Sequence, residues 1–169
     1  MATARKTKFI LMLLILLAII INGCTAPELQ TTQQNSKKAE ESYIENVAQI
    51  VKETNWDETE TITVELNELS FTPSTIKFKK DTPYKLEIKN IGNVKHYFTS
   101  IEFFKAVASR KVQSNSDGEI KAPYFSALEV FPGRQLDFYF VPIKEGSYYL
   151  KCTIEGHEEK GMHGTIIIE

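Results

Sequence analysis

With 169 residues, the chain holds one ordinary domain and little more. Its 20 basic and 22 acidic residues nearly balance at a net charge of −2, and no long basic run stands among them, so nucleic acid is a poor partner. There is no internal repeat, no phosphate-cradling glycine loop and no Gly-x-Ser-x-Gly motif.

The chain opens with Arg5, Lys6 and Lys8, followed by an uninterrupted apolar run from Phe9 to Ile21. That run is too short for a membrane-spanning helix and of the right length for an export signal. It ends in Ile21-Asn22-Gly23-Cys24, which resembles the lipobox of bacterial lipoproteins, with Cys24 as the lipidated residue. Asn22 departs from the small or hydroxyl residue usual there, and an uncleaved anchor is the alternative. Either way the expectation is an exported domain tethered to a bacterial membrane and facing the periplasm or cell exterior. Residues 1–23 carry three basic and no acidic residues, so the remainder has 17 basic and 22 acidic groups and a net charge of −5.

Thr25 to Ser36 is rich in Gln, Thr and Asn and reads as a flexible tether. From Lys37 to Glu53, Tyr43, Val47, Ile50 and Val51 recur at spacings of three and four, which predicts a short amphipathic helix with Ser36 as its cap. From residue 61 the period becomes two. Ile62, Val64 and Leu66 alternate with polar residues, as do Ile76 and Phe78, then Tyr84, Leu86 and Ile88. Leu136, Phe138 and Phe140 follow the same rule, and so do Tyr148, Leu150 and Cys152. The chain closes on a β-branched run, Thr165 to Ile168. Pro-, Gly- and Asn-bearing turns separate these stretches, and the pattern predicts an all-β sandwich or barrel. Residues 103–126 break the rhythm. They read as an insertion or crossover whose first part, with Phe104, Val107, Ala108 and Val112 on one face, is helical. The predicted organisation is a leader at 1–23, a tether with a short N-terminal helix at 24–58, and the β-domain at 59–169.

The chemistry lies near the end. Cys152-Thr-Ile-Glu-Gly-His157-Glu-Glu-Lys-Gly-Met162-His163 places a thiol, an imidazole and a thioether on one loop between two strands, and His96 stands 56 positions before the cysteine. If Cys24 carries lipid, Cys152 has no disulfide partner, and a lone thiol in an exported protein calls for a reason. Cys152 shares the parity of Tyr148 and Leu150, so its sulfur points into the sandwich. Thiolate and thioether are soft, and two imidazoles suit copper in both oxidation states. Zinc on Cys, His and His is the competing reading, though a Met adds nothing for zinc.

Residues 61–169 resemble the cupredoxins, the plastocyanin and azurin family. The likeness rests on Tyr148 to Glu169, with its Cys-x4-His and His-x4-Met spacings, and on Asn90-Ile-Gly-Asn-Val-Lys-His96-Tyr-Phe as the first-histidine strand. The resemblance implies a Greek-key β-sandwich, one type 1 copper ion on His96, Cys152, His157 and Met162, and electron carriage. His163 is an alternative axial ligand. Family members often carry Asn beside the first histidine, where it ties the ligand loops together; here that neighbour is Tyr97, so the hydrogen bonding around the sulfur, and with it the potential, is expected to differ. The expected partners are redox proteins such as a cytochrome or a copper oxidase, with the membrane reached through the lipid anchor. Glu155, Glu158 and Glu159 around His157 read either as a solvated loop or as an acidic rim for a basic partner. Two other functions compete. Copper delivery, storage or resistance would use the same ligands, although Met162 is the only methionine outside the leader. A Cys152–His157 nucleophile pair lacks a third orienting residue, and no enzyme activity is expected.

Overall fold

The structure, a computed structural model, describes residues 42–115 and 117–169. The leader, Cys24, the polar tether and Ser36 lie outside the described residues. Helix α1 (Val47–Glu53) and a 3-10 turn (Trp56–Glu58) come first. Strands β1 (Glu60–Asn67), β2 (Ser70–Thr72), β3 (Thr75–Phe78), β4 (Tyr84–Asn90) and β5 (His96–Thr99) follow. Then come helix α2 (Ile101–Lys105) and strands β6 (Val107–Ser114), β7 (Gly118–Ile120) and β8 (Ala127–Val130). The last strands are β9 (Gln135–Pro142), β10 (Gly146–Lys151) and β11 (His163–Ile168).

These strands make two sheets, ordered β2-β1-β4-β9-β6-β7 and β3-β11-β10-β5-β8. Pairing is antiparallel except for β1 with β4 and β3 with β11. The period-two residues face inward. Val64, Leu66, Leu86, Ile88, Phe138 and Phe140 from one sheet meet Ile76, Phe78, Phe98, Leu150 and Ile166 from the other, all essentially without solvent exposure. Phe138 and Phe140 stack with ring centroids 4.7 Å apart, and Phe78 meets Phe140 edge-on at 5.1 Å. Each such ring buried contributes about 1.5–3 kcal/mol. The architecture is a two-sheet β-sandwich, as the alternation predicts.

Two local expectations need correction. Of the helix predicted over 37–53, residues 37–41 lie outside the described residues; among the described ones it runs from Val47, because Asn46 takes a left-handed conformation (φ 59°) that no helix continues through. Tyr43 and Ile44 still pack on the domain, and α1 covers Ala108 and Val141 with Val47, Ile50 and Val51, joined by Trp56 of the following turn. The helix therefore docks on the sandwich. The helical reading of 103–112 holds only for Phe103 to Lys105. Val107–Ser114 is instead an interior strand paired to β9, with a register shift between Ser109 and Lys111. Val107, Ala108 and Ser109 are buried in succession because α1 covers the outer face of that strand. A strand buried on both faces loses its alternation.

Candidate metal centre

Strand β10 delivers Cys152 one residue past its last paired position, and the sulfur is completely buried, as its parity with Tyr148 and Leu150 requires. The chain then turns through residues 153–161 and re-enters as β11. The loop is closed on itself: the His157 N–H donates to the Ile154 carbonyl (3.0 Å), the Met162 N–H to the His157 carbonyl (2.9 Å), and the Cys152 N–H to the Met162 carbonyl (3.1 Å). Gly156 (φ 76°) and Gly161 (φ 107°) occupy the left-handed conformations such tight wrapping needs. Gly164, at the start of β11, permits a close approach, since a Cβ there would lie 2.3 Å from the Ser74 carbonyl oxygen.

His96 arrives from the other side of the same pole, as the first residue of β5. Its neighbour across the ladder is Val130 of β8. One donor atom from each of His96, Cys152 and His157 lies within 4.8 Å of the others. The Cys152 Sγ is 3.9 Å from the His96 Nδ1 and 3.6 Å from the His157 Nδ1. Nitrogen and sulfur ligands at about 2.0 and 2.3 Å from a first-row ion, spread by about 120°, stand roughly 3.7 Å apart. The spacing thus fits one ion inside the triangle. Met162 is fully buried beside them. Two imidazoles, a thiolate and a thioether are the donor set of a type 1 copper site.

Burial, and to a lesser degree the neighbouring His157, hold the His96 imidazole below its usual pKa. The ring is kept neutral, with a lone pair to give. Its other nitrogen, Nε2, is buried with no protein hydrogen-bond partner among the described residues. Cys152, His96 and Met162 are inaccessible; His157 is the one of the four donors that reaches solvent.

His163 sits apart from the other donors. Its side chain is exposed and stacks on Tyr149, with ring centroids 5.9 Å apart. Adjacent strand residues face opposite sides, so a buried Met162 sends His163 outward. Tyr97, standing where the family often has Asn, donates its backbone N–H to the Cys152 sulfur at 3.4 Å. Its phenol is turned away to Glu129 (2.8 Å). Of the three acidic residues around His157, Glu158 is already engaged, by Lys151 (2.8 Å) and by the Tyr149 hydroxyl (3.1 Å).

Sequence reasoning missed Asn90. This residue is 2 % exposed, and its Nδ2 donates to the carbonyls of Val94 and Val130, each at 2.8 Å. Its Oδ1 accepts the Gly92 N–H at 2.9 Å. It ties the end of β4 to the loop that carries His96 and to the strand beside it. The signal was present as Asn-x-Gly, the pattern of a side chain closing a turn on the amide two residues on.

No protein-family model matches the chain, and no curated protein sequence matches it either. Solved structures do. Auracyanin B shares 18% identity over 64% of this chain and 88% of its own, with a TM-score of 0.47. The dithionite-reduced auracyanin of Roseiflexus castenholzii shares 16% over 64% and 96%, also at 0.47. A multi-copper oxidase from Pediococcus acidilactici shares 16% over 66% of this chain and 26% of its own, with a TM-score of 0.51. At such identities the likeness is one of fold. The fold is that of the cupredoxins, and the cluster at its pole carries the type 1 donor set.

Proposed function

We propose that this protein is a carrier of single electrons, working through one copper ion held by His96, Cys152, His157 and Met162. The observation that carries the reading is the convergence of both Nδ1 atoms on one buried sulfur, at 3.9 and 3.6 Å, at the pole of a rigid sandwich. When bound, copper supplies a one-electron couple between its cupric and cuprous states. The chain supplies the rest. Closed backbone hydrogen bonds fix the loop, which limits how far the donors move between the two states. The Tyr97 N–H withdraws charge from the sulfur and favours the reduced state. The accessible edge of His157 is the port through which an electron leaves.

The same reading takes the partner to be a redox protein that docks over His157, and the chain to be exported and lipid-anchored at Cys24. No helix among the described residues is long and apolar enough to cross a membrane. With Glu158 paired to Lys151, Glu155 and Glu159 are the acidic groups beside the port that make no ion pair among the described residues, and the exposed Lys160 offsets them. Docking over this rim therefore rests on shape and apolar contact more than on charge.

The test is the visible absorption and paramagnetic resonance spectrum of the purified protein loaded with cupric ion. An intense thiolate-to-copper band with narrow hyperfine splitting, bleached reversibly by reductant, is expected. A colourless protein or an ordinary tetragonal cupric spectrum would overturn the reading.

A further inference from the structure

We propose that Glu68, in the turn between β1 and β2, is the outer clamp that positions His96, so that it sets how tightly the centre holds copper and at what potential. The proposal rests on the copper reading above.

Three observations carry it. First, the Glu68 carboxylate accepts the backbone N–H of both Asn93 and Val94, the latter at 3.3 Å. These residues lead directly through Lys95 into His96. Second, the loop lies directly against that carboxylate: a Cβ on Gly92 would stand 2.8 Å from each of its oxygens, so the backbone at Gly92 packs over the end of the Glu68 side chain. Third, the imidazole of His96 lacks the anchor that its own Nε2 would give, because that atom has no protein partner among the described residues. The ring is therefore placed by its backbone, and that backbone is held from inside by Asn90 and from outside by Glu68.

The same turn also reaches the other ligand loop. Leu69 is left-handed (φ 67°), and its carbonyl oxygen lies 4.0 Å from where a Cβ on Gly161 would stand, one residue before Met162. One turn thus bonds the segment that delivers His96 and lies near the segment that delivers Met162. This tie does the work for which the family often uses Asn in the position of Tyr97. The amide bonds, that of Asn93 first, also hold the Glu68 carboxyl below the usual carboxylate range, so it is ionised and accepting at neutral pH.

The experiment compares Glu68→Ala, Glu68→Gln and Glu68→Asp with the native protein. Glu145→Gln, which removes an equal charge at the opposite pole, is the control. Gln keeps an oxygen at the same reach and loses the charge; Asp keeps the charge and withdraws it by one methylene. In the metal-free protein, amide hydrogen exchange at Asn93 and Val94 should accelerate about tenfold or more in Ala and Asp, and stay near native in Gln. Cupric affinity, measured by chelator competition, should fall about tenfold in Ala and Asp and by less than about threefold in Gln. A tenfold loss confined to the cupric state raises the potential by about 59 mV. Native exchange, affinity and potential in Ala and Asp would overturn the proposal. So would a Gln variant as impaired as Ala, which would make charge the cause. If the native protein itself forms no blue site, the copper reading fails, while the exchange at Asn93 and Val94 still decides the clamp.

Discussion

Replacing Asn90 by alanine tests whether one buried amide organises the approach to the metal centre. The side chain uses both Nδ2 protons and its Oδ1, on Val94, Val130 and Gly92, with all three bonds between 2.8 and 2.9 Å. A net hydrogen bond contributes about 1 kcal/mol, and stranding a buried carbonyl costs further. The Val130 carbonyl is left in that position. The expected loss is about 3 kcal/mol, which lowers the melting temperature of a domain this size by roughly 10 °C. Thermal unfolding of the metal-free protein, followed by circular dichroism, measures it without interference from copper. Asn90→Asp should be worse at neutral pH than at acidic pH, because an ionised carboxylate would face the Val94 and Val130 carbonyls. A melting temperature within about 3 °C of native for Asn90→Ala would refute the reasoning.

Three other perturbations follow from the geometry. Met162→Leu should shift the visible band and hyperfine splitting of the copper-loaded protein, whereas His163→Ala should leave both unchanged; the reverse ranking in the two spectra would move the axial role to His163. Gly164→Ala would drive a Cβ to 2.3 Å from the Ser74 carbonyl, which also accepts the Thr165 N–H at 2.8 Å. Parting β3 from β11 should cost about 2–4 kcal/mol in urea unfolding. Glu87 is held at a pKa of about 2, against 4.5, chiefly by Lys85 and then by Lys89. A depressed carboxyl stabilises the fold above pH 4.5 and loses that contribution as pH falls toward 2. Glu87→Gln should therefore lose about 1–2 kcal/mol at neutral pH and flatten the stability profile across that window, as urea titrations at a series of pH values would record.

Where one face of a strand is buried and the other wet, alternation was enough to read it: β4, β9 and β10 came directly from Tyr84-x-Leu86-x-Ile88, Leu136-x-Phe138-x-Phe140 and Tyr148-x-Leu150. Strand β6 was not legible, because α1 dries its outer face and a register shift interrupts its pairing. The break at Asn46 was not legible, because a left-handed asparagine carries no compositional warning; Asn is at home both in and beside helices. The centre was legible in proportion to how local it is. Cys152, His157 and Met162 announce themselves within eleven residues of sequence, while His96 was placed by the scarcity of histidine and by its strand. Asn90 and Glu68 act on backbone amides and carbonyls of other segments, and no pattern of side-chain types encodes such bonds.

The way the chain joins the sandwich has a mechanical consequence. Lys144, in the turn between β9 and β10, donates to the Ser42 carbonyl at 2.9 Å, and α1 is pressed against Ala108 and Val141 close by. From that turn, β10 runs six residues to the donor loop, a length of about 20 Å. Tension applied through Ser42 is therefore borne first by the Lys144 bond and the seat of α1, and sheared across the β6–β9 ladder. Cys152 and its neighbours stand at the far end of β10 from that attachment, so a pull through Ser42 meets the Lys144 bond and the seat of α1 before it reaches the donor loop.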